Sequence, residues 1–130
     1  MIYVMDATAL LALSHGEQGY EVVEGLIQTQ ECFISSVNIA EVGSKLVDEG
    51  LLEKDLSGIL QQFQVDIIDF NAEQAIRSAA IRQITRSSGL SMGDRACFAL
   101  AQLMDACVVT TDRAWSDVEG VLGVKVVQIR

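Results

Sequence analysis

The sequence predicts an α/β fold of three layers, α/β/α, built on a central, mainly parallel five-stranded sheet. Five short apolar runs alternate with longer stretches whose apolar residues recur at helical spacing, the signature of strands joined by helical crossovers. The runs read as apolar stretches rather than alternating ones, the third with Asp66 and Asp69 inside it, as in a sheet covered on both faces. Punctuation comes from glycine, with 10 Gly and no Pro in 130 residues, so the breaks between elements fall at glycines such as Gly16, Gly50, Gly89 and Gly123. The length predicts a single domain spanning residues 1–130.

Residues 2–5 form a short apolar run that stops at Asp6, a strand by length and β-branched content. Ala7 to Leu13 reads as a short helix. Tyr20, Val23, Leu26 and Ile27 mark a second helix that ends near Gln30. Cys32, Phe33 and Ile34 form the next strand, closed by Ser35 and Ser36. Ile39, Ala40, Gly43, Leu46 and Val47 mark a helix ending at Gly50, and Leu52, Leu56, Ile59, Leu60 and Phe63 mark another. Residues 65–70 read as a strand. Ala72, Ala75, Ile76, Ala79, Ala80 and Ile84 line one face of a long helix that fades at Ser87, Ser88 and Gly89. Ala96, Cys97, Leu100, Ala101 and Met104 line the helix after it. Residues 107–110 and 124–129 are the last two strands, with a turn around Trp115 between them.

Half of the residues are hydrophobic, which excludes intrinsic disorder. Against 18 Asp and Glu stand 9 Lys and Arg, a net charge of −9. Bulk electrostatics therefore cannot draw a polyanion to the bare protein. If nucleic acid is handled, a metal cation must mediate. Cys32, Cys97 and Cys107 all lie in apolar settings with no CxxC pair, as expected of buried thiols in a reducing compartment. The opening MIYVMDATALLALSHG has no basic segment before its apolar residues and carries Asp6. It predicts a mature cytoplasmic protein without a membrane span.

Four carboxylates fall where an α/β sheet binds ligands, outside the carboxyl ends of the strands. Asp6 follows the first strand and Asp112 the fourth. Glu41 lies in the second turn of the helix after the second strand, and Asp94 in the first turn of the helix that starts near Ser91. Each has a plain structural reading. Asp6 and Asp112 suit helix N-caps, Ser91 and Asp94 suit a capping box, and Glu41 is spaced to pair with Lys45. Against this, Glu41 sits among apolar neighbours, and Asp94 shares a stripe with Cys97, Phe98 and Ala101. An inward carboxylate is costly unless something neutralises it. An all-oxygen cluster without His or Cys suits a hard ion such as Mg²⁺ or Mn²⁺.

In these residues and their order the chain resembles the PIN-domain nucleases, and within them the VapC-like toxins of toxin–antitoxin pairs. MIYVMDATALLAL resembles the opening motif, SSVNIAEVGSKL the second, and GLSMGDRACFALAQLMDACVVTTDRAW the third and fourth, in the family's order across the whole chain. The resemblance implies metal-binding, catalytic acids at Asp6, Glu41, Asp94 and Asp112, a hydroxyl beside the first acid at Thr8, and a fourth-motif hydroxyl at Thr110 or Thr111. Asp117 falls where related nucleases sometimes place another acid; its alternative reading is a solvated acid beside Glu119. The resemblance implies an endoribonuclease using Mg²⁺ or Mn²⁺, two ions, and leaving a 5′-phosphate and a 3′-hydroxyl. It also implies a cognate antitoxin and a homodimer. Thr8, Arg86 and Arg95 are candidates to bind the RNA substrate, the arginines through its phosphates, with solvated surface Arg as the alternative.

Trp115 could stack on a base or pack in the core. His15 has no partners for a nucleophilic triad. The helix pair from Ser36 to Phe63 carries Val42, Leu46, Leu52, Leu56, Ile59 and Phe63, an apolar excess expected to form a groove for an antitoxin helix. An antitoxin arginine between Asp6 and Asp94 is the expected blocker of the acids. Two other functions fit parts of the pattern. A PIN nuclease in RNA maturation would share every acid. A phospho-receiver domain would need an acidic pair after the first strand, where Ala7 follows Asp6, and would use Asp69 as acceptor and Lys125 as its lysine.

Overall fold

The computed structural model describes residues 1–130. The chain runs β1 (Ile2–Met5), α1 (Ala7–His15), α2 (Tyr20–Thr29), β2 (Glu31–Ser35), α3 (Ser36–Asp48), α4 (Glu53–Gln62), β3 (Asp66–Ile68), α5 (Ala72–Ile84), a 3-10 turn (Arg86–Ser88), α6 (Met92–Met104), β4 (Cys107–Thr110), a second 3-10 segment (Arg113–Val118), α7 (Glu119–Leu122) and β5 (Val126–Gln128). The five strands form one sheet in the order β3-β2-β1-β4-β5, and all four pairings are parallel. No helix is long and apolar enough to cross a membrane.

Side chains on the inner strands alternate between two cores. Val4 and Val108 point to one face, where α5, α6 and the second 3-10 segment supply Ile81, Phe98, Leu100, Trp115 and Val118. Met5, Ile34 and Val109 point to the other, against Leu10 of α1, Val23 of α2 and Val42 and Leu46 of α3. Full burial of such side chains stabilises by about 1.5–3 kcal/mol each. Trp115 is 1% exposed, with its ring centroid 4.5 Å from that of Phe98. It is core, not a stacking platform for a base.

The edges depart from the expectation of a sheet apolar and covered throughout. β3 has only three residues, two of them exposed, and β5 is half-buried. An edge strand touches one neighbour instead of two, so Asp66 and Ile67 face water.

The long helix α5 packs with its more polar side inward. It buries Gln74, Ser78 and Ile81, while Ala72, Ala75, Ile76, Ala79, Ala80 and Ile84 face solvent. This side carries one hydrogen bond back to the loop before α5 and one from an α6 side chain to the α5 backbone. Gln74 Nε2 donates to Asp69 O at 2.9 Å and Arg95 Nη1 to Ser78 O at 3.3 Å. The alanine-isoleucine stripe is therefore an unpartnered surface.

Candidate active site

The chain lays β1, β2 and β3 toward one edge of the sheet and then returns to place β4 and β5 on the other side of β1. The strand order reverses between β1 and β4, which is where open α/β sheets bind ligands. Asp6 leaves β1 and Asp112 follows β4 at that point.

Asp6 caps α1, its Oδ1 accepting from Ala9 N at 2.9 Å. Two threonine hydroxyls hold the rest of the carboxyl: Thr8 Oγ1 donates to Oδ1 at 2.7 Å and Thr110 Oγ1 to Oδ2 at 2.5 Å. Each hydroxyl oxygen also accepts a backbone N–H from the exit of β4, Thr8 from Thr111 at 3.1 Å and Thr110 from Asp112 at 3.0 Å. With its lone pair occupied by an N–H, each hydroxyl aims its proton at Asp6, and such chains strengthen one another. Asp6 is only 4% exposed. Burial pushes its carboxyl up to about 6; the two hydroxyls and Ala9 N–H oppose this, and the charge of Asp94 adds to it.

Asp94 is half-buried at the start of α6 and completes the expected capping box. Its N–H donates to Ser91 Oγ at 3.1 Å, and its Oδ2 accepts from Ser91 N at 3.0 Å. Burial raises its carboxyl, the Ser91 bonds hold it down, Asp112 raises it and Arg95 lowers it. Asp112 caps the 3-10 segment through Ala114 N at 3.0 Å and is exposed. Asp6 and Asp112 are thus N-caps, Asp94 is the third residue of a capping box, and the three still converge electrostatically, so the capping and the chemical readings describe one geometry.

Glu41 is exposed, contrary to the inward setting expected from its neighbours, and makes no ion pair with Lys45. The inward face of α3 is carried by Asn38, Ile39, Val42, Gly43 and Leu46. Glu41 instead reaches across to α6. Its Oε1 accepts from Asn38 Nδ2 at 2.8 Å, and the same amide donates to Gly93 O at 3.0 Å. A Cβ on Gly93 would lie 2.5 Å from Oε1 and 2.6 Å from Oε2, so glycine at 93 opens the place where Glu41 approaches Asp94. Beneath the acids lies Cys97, whose thiol is raised by burial and then by Asp6, Asp94 and Glu41. It is held as an inert thiol, far from nucleophilic thiolate.

No three His, Cys, Asp or Glu side chains close on a common point as a ready-made metal cage. The donor set nonetheless fits one kind of ion. The acids are all oxygen donors that share a field, and no Lys or Arg forms an ion pair with them, since the only ion pairs in the chain join His15 to Glu17 and Glu49. An open carboxylate set suits a small hard cation that keeps several waters and takes one or two carboxylates, rather than a tight N/S cage.

The remaining candidates are placed unevenly around the acids. Thr8 is exposed, its hydroxyl committed to Asp6. Asp117 is exposed and makes no hydrogen bond or ion pair. Arg86 is exposed on the 3-10 turn, whereas Arg95 is buried. His15 ends α1 with Nε2 2.8 Å from Glu49 Oε2. Sequence reasoning passed over Asn38 and Gly93. The spacing of Asn38, one helical turn before Glu41, and the glycine directly before Asp94 were the available signals. The receiver reading does not survive, because Asp69 follows β3 at the sheet edge, two strands from β1. A doubly-wound receiver sheet runs 2-1-3-4-5, with β3 beside β1.

No curated protein matches the chain. Among solved structures it resembles a toxin-antitoxin complex from Klebsiella pneumoniae (24% identity, 98% of each chain, TM-score 0.76). VapBC2 from Rickettsia felis, bound to a DNA fragment from its promoter, matches at 21% identity over 98% of each chain with TM-score 0.73. DNA-bound VapBC from Salmonella typhimurium matches at 15% identity over 100% of this chain and 99% of that one, with TM-score 0.75. At these identities the likeness shows the fold. The family model described as PIN domain matches residues 3–121, nearly the full length, and the chain belongs to the PIN domain family.

Proposed function

We propose that this chain is a divalent-metal-dependent endoribonuclease, the toxin of a toxin–antitoxin pair. PIN membership carries nuclease chemistry in general. The observation that carries the finer reading is the cluster of Asp6, Glu41, Asp94 and Asp112 at the strand-order switch, with no basic side chain paired to it. In a chain of net charge −9, such a cluster repels RNA unless cations fill it.

Asp6 and Asp94 are the acids that would hold Mg²⁺ or Mn²⁺, with Glu41 and Asp112 flanking them; two divalent ions would match the charge of the four. Bound cations of this kind acidify water and draw charge from the phosphoryl oxygens. The protein's own share is positioning. Thr8 and Thr110 fix both oxygens of Asp6 and oppose its protonation. Ser91 fixes Asp94, and Asn38 holds Glu41 beside Gly93. Phosphodiester hydrolysis should follow when purified protein meets total RNA with Mg²⁺ or Mn²⁺, and stop with EDTA. Cleavage that survives EDTA defeats the reading.

The toxin role is supported by end-to-end likeness to chains from toxin-antitoxin complexes. An apolar cleft of about 450 Å³ between α3 and α4, lined by Ile39, Ala40, Gly43, Val47, Leu56 and Leu60, suits an antitoxin helix. Val42, Leu46 and Phe63, expected in that groove, are instead core. An antitoxin arginine seated between Asp6 and Asp94 would compete with the cations, so raising Mg²⁺ should relieve inhibition. The exposed Ala72–Ile76–Ala80–Ile84 stripe of α5 is the face we assign to the homodimer. A cytoplasmic location accords with three free, buried cysteines.

A further inference from the structure

The positive charge of this molecule has its own address. Arg82 in the last turn of α5, Arg86 in the following 3-10 turn and Arg95 in the first turn of α6 line one cleft of about 170 Å³, together with Thr85, Gly89 and Leu90. Acids outnumber bases 18 to 9 in the chain, yet no carboxylate lines this cleft and none of the three arginines forms an ion pair. Arg82 and Arg86 are exposed. Arg95 is only 8% exposed, and its buried Nε has no hydrogen-bond partner. Its single hydrogen bond, Nη1 to Ser78 O, is long at 3.3 Å. A buried charged donor left unpaired is costly, and an arginine serving only to pack would turn that N–H to an acceptor. Three guanidinium groups around a small cleft, one with a free buried donor, describe a site for a tetrahedral oxyanion. Arginine forks match phosphate oxygens two at a time.

We infer that this cleft is a phosphate site that holds a backbone phosphate of the RNA strand next to the one cleaved. The polymer part rests on the ribonuclease reading; the anion site stands on the cleft alone. Arg95 directly follows Asp94 and lowers its carboxyl electrostatically, so the cleft and the acids flank the same first turn of α6. A strand crossing that turn meets metal-filled acids on one side and bare arginines on the other. The cleft thereby gives an acidic protein a grip on RNA that needs no cation.

The test reads the arginines directly. In full-length protein labelled with ¹⁵N-arginine and kept in EDTA, the Arg95 Nε–Hε resonance is followed while inorganic phosphate is added. A saturable shift is expected, weakened in Arg82→Gln and Arg86→Gln, whose exposed positions spare the fold. With RNA, the double variant should bind about 10-fold more weakly, the loss of a charge-assisted contact, and the loss should appear in KM rather than kcat. The slope of log affinity against log salt should fall by about 0.7 for one single-stranded phosphate contact. An Arg95 resonance indifferent to phosphate but responsive to a glutamate-rich peptide, or a double variant with wild-type RNA affinity and salt slope, overturns the site. Phosphate binding without any RNA cleavage by wild type would instead defeat the ribonuclease reading and, with it, the RNA assignment of the cleft.

Discussion

Asp6 and Asp112 hold matching places in the fold. Each follows an inner strand, each caps the helical segment that comes next, and the two flank the point where strand order reverses. Their environments differ. Asp6 is 4% exposed and gripped by two hydroxyls, while Asp112 stands in solvent with a single capping bond to its side chain. One apolar strand followed by Asp in the sequence thus yields a buried, strained charge in one case and a solvated one in the other. The cause lies in the neighbours. β1 is the central strand, and its exit is roofed by Thr8 and Thr110, whereas β4 runs out beside the half-buried edge strand β5.

The contrast predicts unequal effects. Asp6→Asn and Asp94→Asn should each lower cleavage by more than ~100-fold, beyond the 10–100-fold that loss of a group supporting a metal ligand typically costs. Asp112→Asn should fall by less, since an exposed acid is more easily replaced by water. Steady-state cleavage of a defined RNA orders the three. Equal losses would mean that burial does not set the rank. Thr110→Val removes one hydroxyl from Asp6 and keeps the shape, so a loss of about 10–100-fold is expected.

Asp6 also answers to pH. Asp6 titrates at about 6 in the fold against 3.8 in the unfolded chain. Between those values the folded state binds the proton more tightly, so its stabilising contribution is complete below pH 3.8 and is lost as pH rises through about 6. The difference amounts to about 3 kcal/mol at 1.36 kcal/mol per unit. Asp6→Asn removes that penalty but sets an amide N–H₂ against a hydroxyl donor. A net gain of about 1–2 kcal/mol is expected for the metal-free protein above pH 7, vanishing near pH 4. Urea denaturation in EDTA at the two pH values measures it.

Much of this site was legible in the sequence because its acids sit at element boundaries, and strand ends and helix starts leave strong local patterns. The strand order was not legible, since apolar runs do not say which neighbours pair. The facing of α5 was not legible for a related reason. Its alanine-isoleucine stripe has the regular spacing of a core face, but the side that packs on α6 carries Gln74, whose amide donates to Asp69 O, and Ser78, a small residue whose carbonyl accepts from Arg95. The burial of Arg95 was equally hidden, because a charged residue in a first turn looks solvated until the facing helix is in place. Gly93 shows the same limit at atomic scale. Gly93→Ala places a Cβ against the Glu41 carboxylate, a flexible end that can swing away. Folding should be little affected, while cleavage drops several-fold as Glu41 leaves Asn38 and Asp94; a calorimetric midpoint near wild type with reduced cleavage is the expected pair of results.

The smallest effect is expected at Asp117, and it draws the outer boundary of the site. Asp117 lies five residues beyond Asp112 on the same 3-10 segment, so proximity in sequence would group the two. Their connections differ. Asp112 binds Ala114 N and raises the carboxyl of Asp94. Asp117 is exposed, has no hydrogen-bond partner, and is not among the charges that act on Asp6 or Asp94. An exposed charge separated from a reacting centre by solvent is screened within about 10 Å at ordinary ionic strength. Asp117→Asn should therefore leave both cleavage and its Mg²⁺ dependence within about two-fold of wild type, an energy difference below ~0.5 kcal/mol, as is usual for surface substitutions. Assaying it beside Asp112→Asn at several Mg²⁺ concentrations gives the sharpest reading. If Asp117→Asn instead shifts the Mg²⁺ requirement as far as Asp112→Asn does, the acid cluster continues along the 3-10 segment, and the exposed acid rather than the buried one marks where the cations enter.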